Sequence, residues 1–117
     1  MTAVVTLYGI PNCDQVRLAR AWLGSHRIEY RFHDFKREGL APGVATRWLE
    51  LAGASNLINR KGTTWRKLAD QQRADAETPA GACALMVSNP SVVKRPLLDI
   101  DGHLTIGFAP NTYETLF

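Results

Sequence analysis

A chain of 117 residues, 45% hydrophobic and 21% charged, has the size and balance of one ordinary globular domain with its own core. No apolar run approaches the ~20 residues of a membrane-spanning helix. The first residues lack the charged start and long apolar centre of a signal peptide, so a reducing cytoplasm is the expected setting. The formal charge of +3 forms no dense basic tract and does not interleave with aromatics, which argues for a solvated surface and against nucleic acid as a partner.

Residues 3–8 read as a buried strand, an apolar and β-branched run ended by Gly9 and Pro11. The period then changes. Val16, Ala19 and Leu23, flanked by Leu18 and Trp22, make an apolar stripe at helical spacing, and Arg17 and Arg20 lie off it. Asn12 is the expected N-cap and Gly24 the expected stop, with Cys13 in the first turn. There the free N–H groups and positive end of the helix dipole favour thiolate over thiol. Asp14, next in the chain, opposes it, so the dipole and any nearby arginine must outweigh that charge. Position alone leaves two readings of Cys13: a reactive thiol, or an inert small residue at a turn.

Residues 28–33, Ile-Glu-Tyr-Arg-Phe-His, alternate apolar and polar as a second strand, completing a β-α-β unit. Gly39, Pro42 and Gly43 mark a turn, after which Val44, Trp48, Leu51 and Ala52 follow at helical spacing to Gly53, with Trp48 read as core. Gly62 marks a turn, and Thr63 or Thr64 is the expected N-cap of a helix carrying Trp65 and Leu68. Residues 40–77 thus read as a helical insertion within a single domain spanning 1–117. Thr78-Pro79 opens another helix with Thr78 as N-cap and Pro at N1. Its face is Ala82, Leu85, Met86 and Asn89, with Cys83 expected as a buried structural cysteine. Residues 91–100 lead into a strand, Asp101-Gly102 is a hairpin signal, and Leu104–Gly107 is the returning strand. Pro110-Asn111 starts a short last helix through Tyr113 and Leu116. The order β-α-β, helical insertion, α-β-β-α implies an α/β fold with a mixed sheet. In such a sheet, Cys13 and the loop leading into the third strand could meet at one end.

Cys13 and Cys83 form no C-x-x-C, since Val16 stands where a second cysteine would. His26, His33 and His103 match no zinc-site spacing, so neither a metal nor an internal redox pair is expected.

Tyr8-Gly9-Ile10-Pro11-Asn12-Cys13, Arg60-Lys61-Gly62 and Lys94-Arg95-Pro96-Leu97, in this order and over essentially the whole length, closely resemble the arsenate-reductase-like (ArsC/Spx) family of thioredoxin fold. The runs Gly62–Leu68 and Lys94–Leu98 look most like its YffB branch. The resemblance implies that Cys13 is the nucleophile, that Arg60 and Arg95 hold an anionic group, and that Pro96 is a cis-proline. Asn12 joins them as a candidate substrate-binding residue. Guanidinium groups beside a thiol favour its thiolate and grip anions through forked, charge-assisted hydrogen bonds. Without the resemblance, Arg60 and Arg95 could equally be surface residues, and Pro96 an ordinary trans proline.

Two departures bear on activity. ArsC enzymes carry a third arginine after the last hairpin, where this chain reads Ile106-Gly107-Phe108-Ala109-Pro110. Spx-type regulators carry a C-x-x-C switch, which Val16 removes. The expected function is therefore a monothiol, glutathione-dependent thiol oxidoreductase, with glutathione as co-substrate and no tightly bound cofactor. The alternatives are arsenate or oxyanion reduction, and a non-enzymatic regulator that binds a protein partner in the manner of Spx.

Overall fold

Burial alternates along the first strand because its even-spaced side chains face one way: Val5 and Leu7 are buried, whereas Thr6 and Tyr8 are half-buried. In the computed structural model, which describes residues 3–117, this strand is β1 (Val5–Gly9). It is followed by α1 (Asp14–Ser25) and β2 (Arg31–Asp34), then by six helices. These are α2 (Phe35–Glu38), α3 (Pro42–Ala52), α4 (Ala54–Leu57), α5 (Thr63–Arg66), α6 (Asp70–Asp75) and α7 (Pro79–Ser88). A 3-10 turn at Pro90–Val92 leads to β3 (Leu97–Ile100), β4 (His103–Ile106) and α8 (Pro110–Leu116). No helix among the described residues is long and apolar enough to cross a membrane.

The chain divides into two compact units: residues up to Asp34 together with Arg95–Phe117, and Phe35–Lys94. The first carries the sheet, in the order β2-β1-β3-β4. β1 pairs parallel with β2, as a β-α-β crossover requires, and antiparallel with β3; β3 and β4 are antiparallel. This is the mixed α/β sheet of the thioredoxin-like order. Its core joins Val5, Leu7 and Leu98 to Ala19 and Leu23 of α1 and Tyr113 of α8. Trp22 and Phe108 both meet the Tyr113 ring edge-on, at centroid distances of 5.5 and 4.8 Å. The buried Tyr113 hydroxyl has no hydrogen-bond partner among the described residues, and burial pushes its ionisation upward.

The β3–β4 turn follows its sequence signal. Asp101 and Gly102 both have positive φ, 50° and 91°, as a type I′ hairpin demands. Gly102 N–H donates to Asp99 Oδ1 at 2.8 Å, and Val4 N–H to Asp101 Oδ1 at 2.8 Å. The end of α1 differs from expectation. Gly24 lies inside the helix, and the left-handed position falls on Arg27, with φ 56°. Ile28 N–H returns to the Leu23 carbonyl and Arg27 N–H to the Gly24 carbonyl, a Schellman closure with arginine where glycine is usual.

In the helical unit α3 packs on α7. Trp48 is fully buried and meets Phe35 edge-on, whereas Leu51, expected on the same stripe, is 56% exposed. Gly62, rather than a threonine, is the N-cap of α5. Thr78 caps α7 as expected, its Oγ1 accepting from Gly81 N–H at 3.0 Å. Gly81 has a further reason to be glycine, since a Cβ there would stand 1.8 Å from the Asp75 carbonyl oxygen. Two backbone hydrogen bonds, Asn59 N–H to Val92 O and Lys94 N–H to Leu57 O, both 2.7 Å, tie the end of α4 and the loop after it to the end of the 3-10 turn and the residues that follow.

Candidate active site

At the carboxyl end of β1 the chain turns through Ile10–Asn12 and reaches Cys13, whose extended backbone (φ −131°, ψ 128°) makes it the N-cap of α1. Its carbonyl accepts the first helical bond, from Arg17 N–H at 2.9 Å. The cap is thus one residue later than expected. Asn12 does not cap, because its side chain is engaged elsewhere. The Cys13 thiol makes no capping hydrogen bond and is half-buried, which leaves sulfur at the helix start rather than consuming it in a structural role.

Val16, one turn along α1, is fully buried and packs so closely on Gly9 that a Cβ at Gly9 would lie 2.7 Å from a Val16 methyl. The position of a resolving cysteine is therefore an apolar contact between β1 and α1. Arg17 lies on the outer side of the same turn. Its Nη1 donates to Asp14 Oδ1 at 2.9 Å and its Nη2 to Asn12 Oδ1 at 3.0 Å. In the sequence Arg17 stands out only by lying off the apolar stripe. The available signal was its spacing, three residues after Asp14 and four after Cys13, which puts all three on neighbouring helix positions.

The sheet register brings Arg95 and Pro96 to the same end. Tyr8 of β1 pairs with Leu97 of β3 in antiparallel sense, so the exit of β1 and the start of β3 are adjacent. The Arg95–Pro96 peptide is cis, and the Pro96 carbonyl accepts from Gly107 N–H at 2.8 Å across the hairpin. Pro96 is buried and Arg95 half-buried. Cys13, Asn12, Arg95 and Pro96 thus share one end of the sheet. Arg60 belongs to the helical unit, where it is exposed and its guanidinium lies 5.4 Å over the Trp65 ring.

Cys83 departs from expectation. It is half-buried rather than buried, its Sγ 3.6 Å from Thr46 Oγ1 and 3.8 Å from the Pro42 carbonyl oxygen. It lines a cleft of about 520 Å³ with Thr46, Leu49, Glu50, Pro79 and Ala80. The apolar neighbours that suggested burial sit on other faces of the short α7.

The pattern of the ArsC family matches residues 8–116. Among solved structures, a YffB protein superposes with a TM-score of 0.90 at 41% identity, covering 96% of this chain and 97% of its own. An arsenate reductase (ArsC) related protein from Brucella melitensis is 47% identical, with a TM-score of 0.75 over 96% of this chain and 92% of its own. The global transcriptional regulator Spx of Streptococcus pyogenes is 28% identical over 90% of this chain and 78% of its own. A match over nearly the whole length, to a pattern that includes the Cys13 turn and the Arg95–Pro96 segment, leaves one conclusion: the chain belongs to the ArsC family.

Proposed function

We propose that the protein is a monothiol, glutathione-dependent thiol oxidoreductase with Cys13 as its nucleophile. The observation that carries this reading is the placement of an uncommitted thiol at the start of α1, at the sheet end shared with Arg95–Pro96, while Val16 is buried. A thiolate there attacks the sulfur of a glutathione mixed disulfide, R–S–S–G. The Cys13–S–S–G bond forms, the substrate's S–S bond breaks, and R–S⁻ leaves. With no second thiol at position 16, resolution comes from outside. The thiolate of a second glutathione attacks the mixed disulfide, releasing oxidised glutathione and the Cys13 thiolate. Arg60 of the helical unit is a proposed substrate-binding residue, and Arg95 is the proposed anchor for a carboxylate of glutathione, a role suited to a forked donor. Asn12 and Pro96 are proposed to line the same substrate site. Glutathione is abundant in a reducing cytoplasm, which is the proposed setting.

Turnover of a small glutathione mixed disulfide, coupled to reduction of the oxidised glutathione formed, tests the reading. Activity should fall to the uncatalysed background in Cys13→Ser and survive in Cys83→Ser. Equal activity in Cys13→Ser and wild type would sink it. Arsenate reduction is supported less well, because residues 103–117 contain no arginine or lysine to hold the third side of a tetrahedral oxyanion. Arsenate-dependent turnover with glutathione, lost in Arg95→Ala, would favour it instead. The likeness to Spx supports a second class of reading, a regulatory binding protein. That reading predicts capture of RNA polymerase subunits equally by wild type and Cys13→Ser.

A further inference from the structure

We infer that Arg17 is a positioning residue for Cys13, holding on the turn that carries the thiol a positive charge that offsets the adverse charge of Asp14. The inference rests on the reading of Cys13 as the reacting thiol. Asp14 directly follows Cys13, and an ionised carboxylate there disfavours a neighbouring thiolate. Arg17 stands one helical turn on, and its backbone N–H already donates to the Cys13 carbonyl. Its guanidinium is tied at two points, to Asp14 Oδ1 at 2.9 Å and to Asn12 Oδ1 at 3.0 Å. These partners flank Cys13 on either side in the chain. The cation is therefore held over the segment that carries the thiol instead of sweeping through solvent.

Two of its five N–H donors are spent on acceptors that flank Cys13 in the chain, and what Arg17 offers Cys13 is charge. The Asp14 and Arg17 side chains are 89% and 58% exposed, so water screens both. The expected effect of each charge is correspondingly modest, about two- to fourfold in reactivity.

The test is alkylation by iodoacetamide, an uncharged probe. The Cys13 thiolate displaces iodide, forming an S–C bond, and the thiol form does not react appreciably. Rates at Cys13 and Cys83 are read separately by peptide mass across a pH series, and compared where the wild-type Cys13 rate still rises with pH. At low salt, Arg17→Gln should slow Cys13 about two- to fourfold and Asp14→Asn should speed it by a similar factor. The Asp14→Asn/Arg17→Gln double variant should return to near the wild-type rate, and Arg17→Lys should fall between wild type and Arg17→Gln, because the charge is kept but the two-point tie is lost. At about 1 M salt, where the screening length is about 3 Å, the differences should shrink towards nothing. Cys83 rates should be the same in all variants. The inference is overturned if Arg17→Gln alkylates like wild type, if the double variant is as slow as Arg17→Gln, if Arg17→Lys is as slow as Arg17→Gln, or if the differences survive high salt. Loss of the glutathione turnover reading with this alkylation pattern intact would remove the proposed substrate and leave the role of Arg17 standing.

Discussion

The sheet unit and the helical unit carry one cysteine each, and the two thiols have different surroundings. Cys13 sits where a strand ends and a helix begins, its position set by the pairing of β1 with β2 and β3. Cys83 sits within α7, its sulfur near Thr46 and the Pro42 carbonyl on the packed pair α3 and α7. In the sheet unit, register decides what is adjacent: once Tyr8 pairs with Leu97, the turn bearing Cys13 and the cis Arg95–Pro96 peptide share one end. In the helical unit, α2, α4 and α5 have four residues each, too short to be stable by themselves. Order there depends on side chains such as Trp48 and on the backbone bonds joining Leu57 and Asn59 to Lys94 and Val92. The two settings differ in how accurately they can hold a reactive thiol. A junction between paired strand and helix fixes its position through many shared bonds, whereas a helix in a stack of short ones relies on packing.

This contrast can be broken most sharply at Trp48. Trp48→Ala removes the largest fully buried side chain and should cost about 3–5 kcal/mol in chemical denaturation, a core truncation of the helical unit. Leu51→Ala, three residues away and exposed, should change stability by less than about 0.5 kcal/mol. Equal effects would mean that the helical unit does not depend on Trp48 as described.

A smaller effect is expected at Thr78, whose hydroxyl caps α7 below Cys83 in the chain. Thr78→Ala should cost about 1 kcal/mol, because the Gly81 N–H loses its acceptor. The glutathione turnover of Cys13 should be unchanged in that variant at temperatures where it stays folded.

In the sheet unit the smallest change runs the other way. The buried Tyr113 hydroxyl has no partner among the described residues, so Tyr113→Phe should hold or raise stability, by up to about 1 kcal/mol. Its ionisation is raised by burial, so the folded state keeps a proton that the unfolded chain releases above about pH 10. Stability should therefore be fully present below that pH and fall as pH rises beyond it, and the fall should be weaker in Tyr113→Phe. Ionisation of the Tyr113 phenol at the ordinary tyrosine value of about 10 would contradict its burial in the core.

Much of the sheet unit was legible because its signals are local and mutually consistent. The β-branched run of β1, the apolar spacing of α1 and the Asp-Gly turn each require one backbone solution. The boundaries were less legible. Asn12 has the right side chain for an N-cap, but Arg17 draws it away, and Cys13 takes the cap by backbone geometry alone. Gly24 looked like a stop because glycine tolerates left-handed φ, yet Arg27 takes that conformation and the Schellman bonds hold it there. The candidate site was legible where chain order suffices, as for Cys13 and Arg95. The tie from Arg17 to both neighbours of Cys13 was not, because spacing allows such a contact without choosing its partners. Leu51 and Cys83 were misplaced for a related reason: in short helices, which face is covered depends on packing that periodicity does not specify.

The most direct test of the contrast between the two thiols is mass mapping after exposure to oxidised glutathione. A single glutathione adduct is expected on the peptide containing Cys13, lost in Cys13→Ser while Cys83 stays unmodified, and removed by adding reduced glutathione. An adduct on Cys83 in preference to Cys13, or one that persists undiminished in Cys13→Ser, would contradict it.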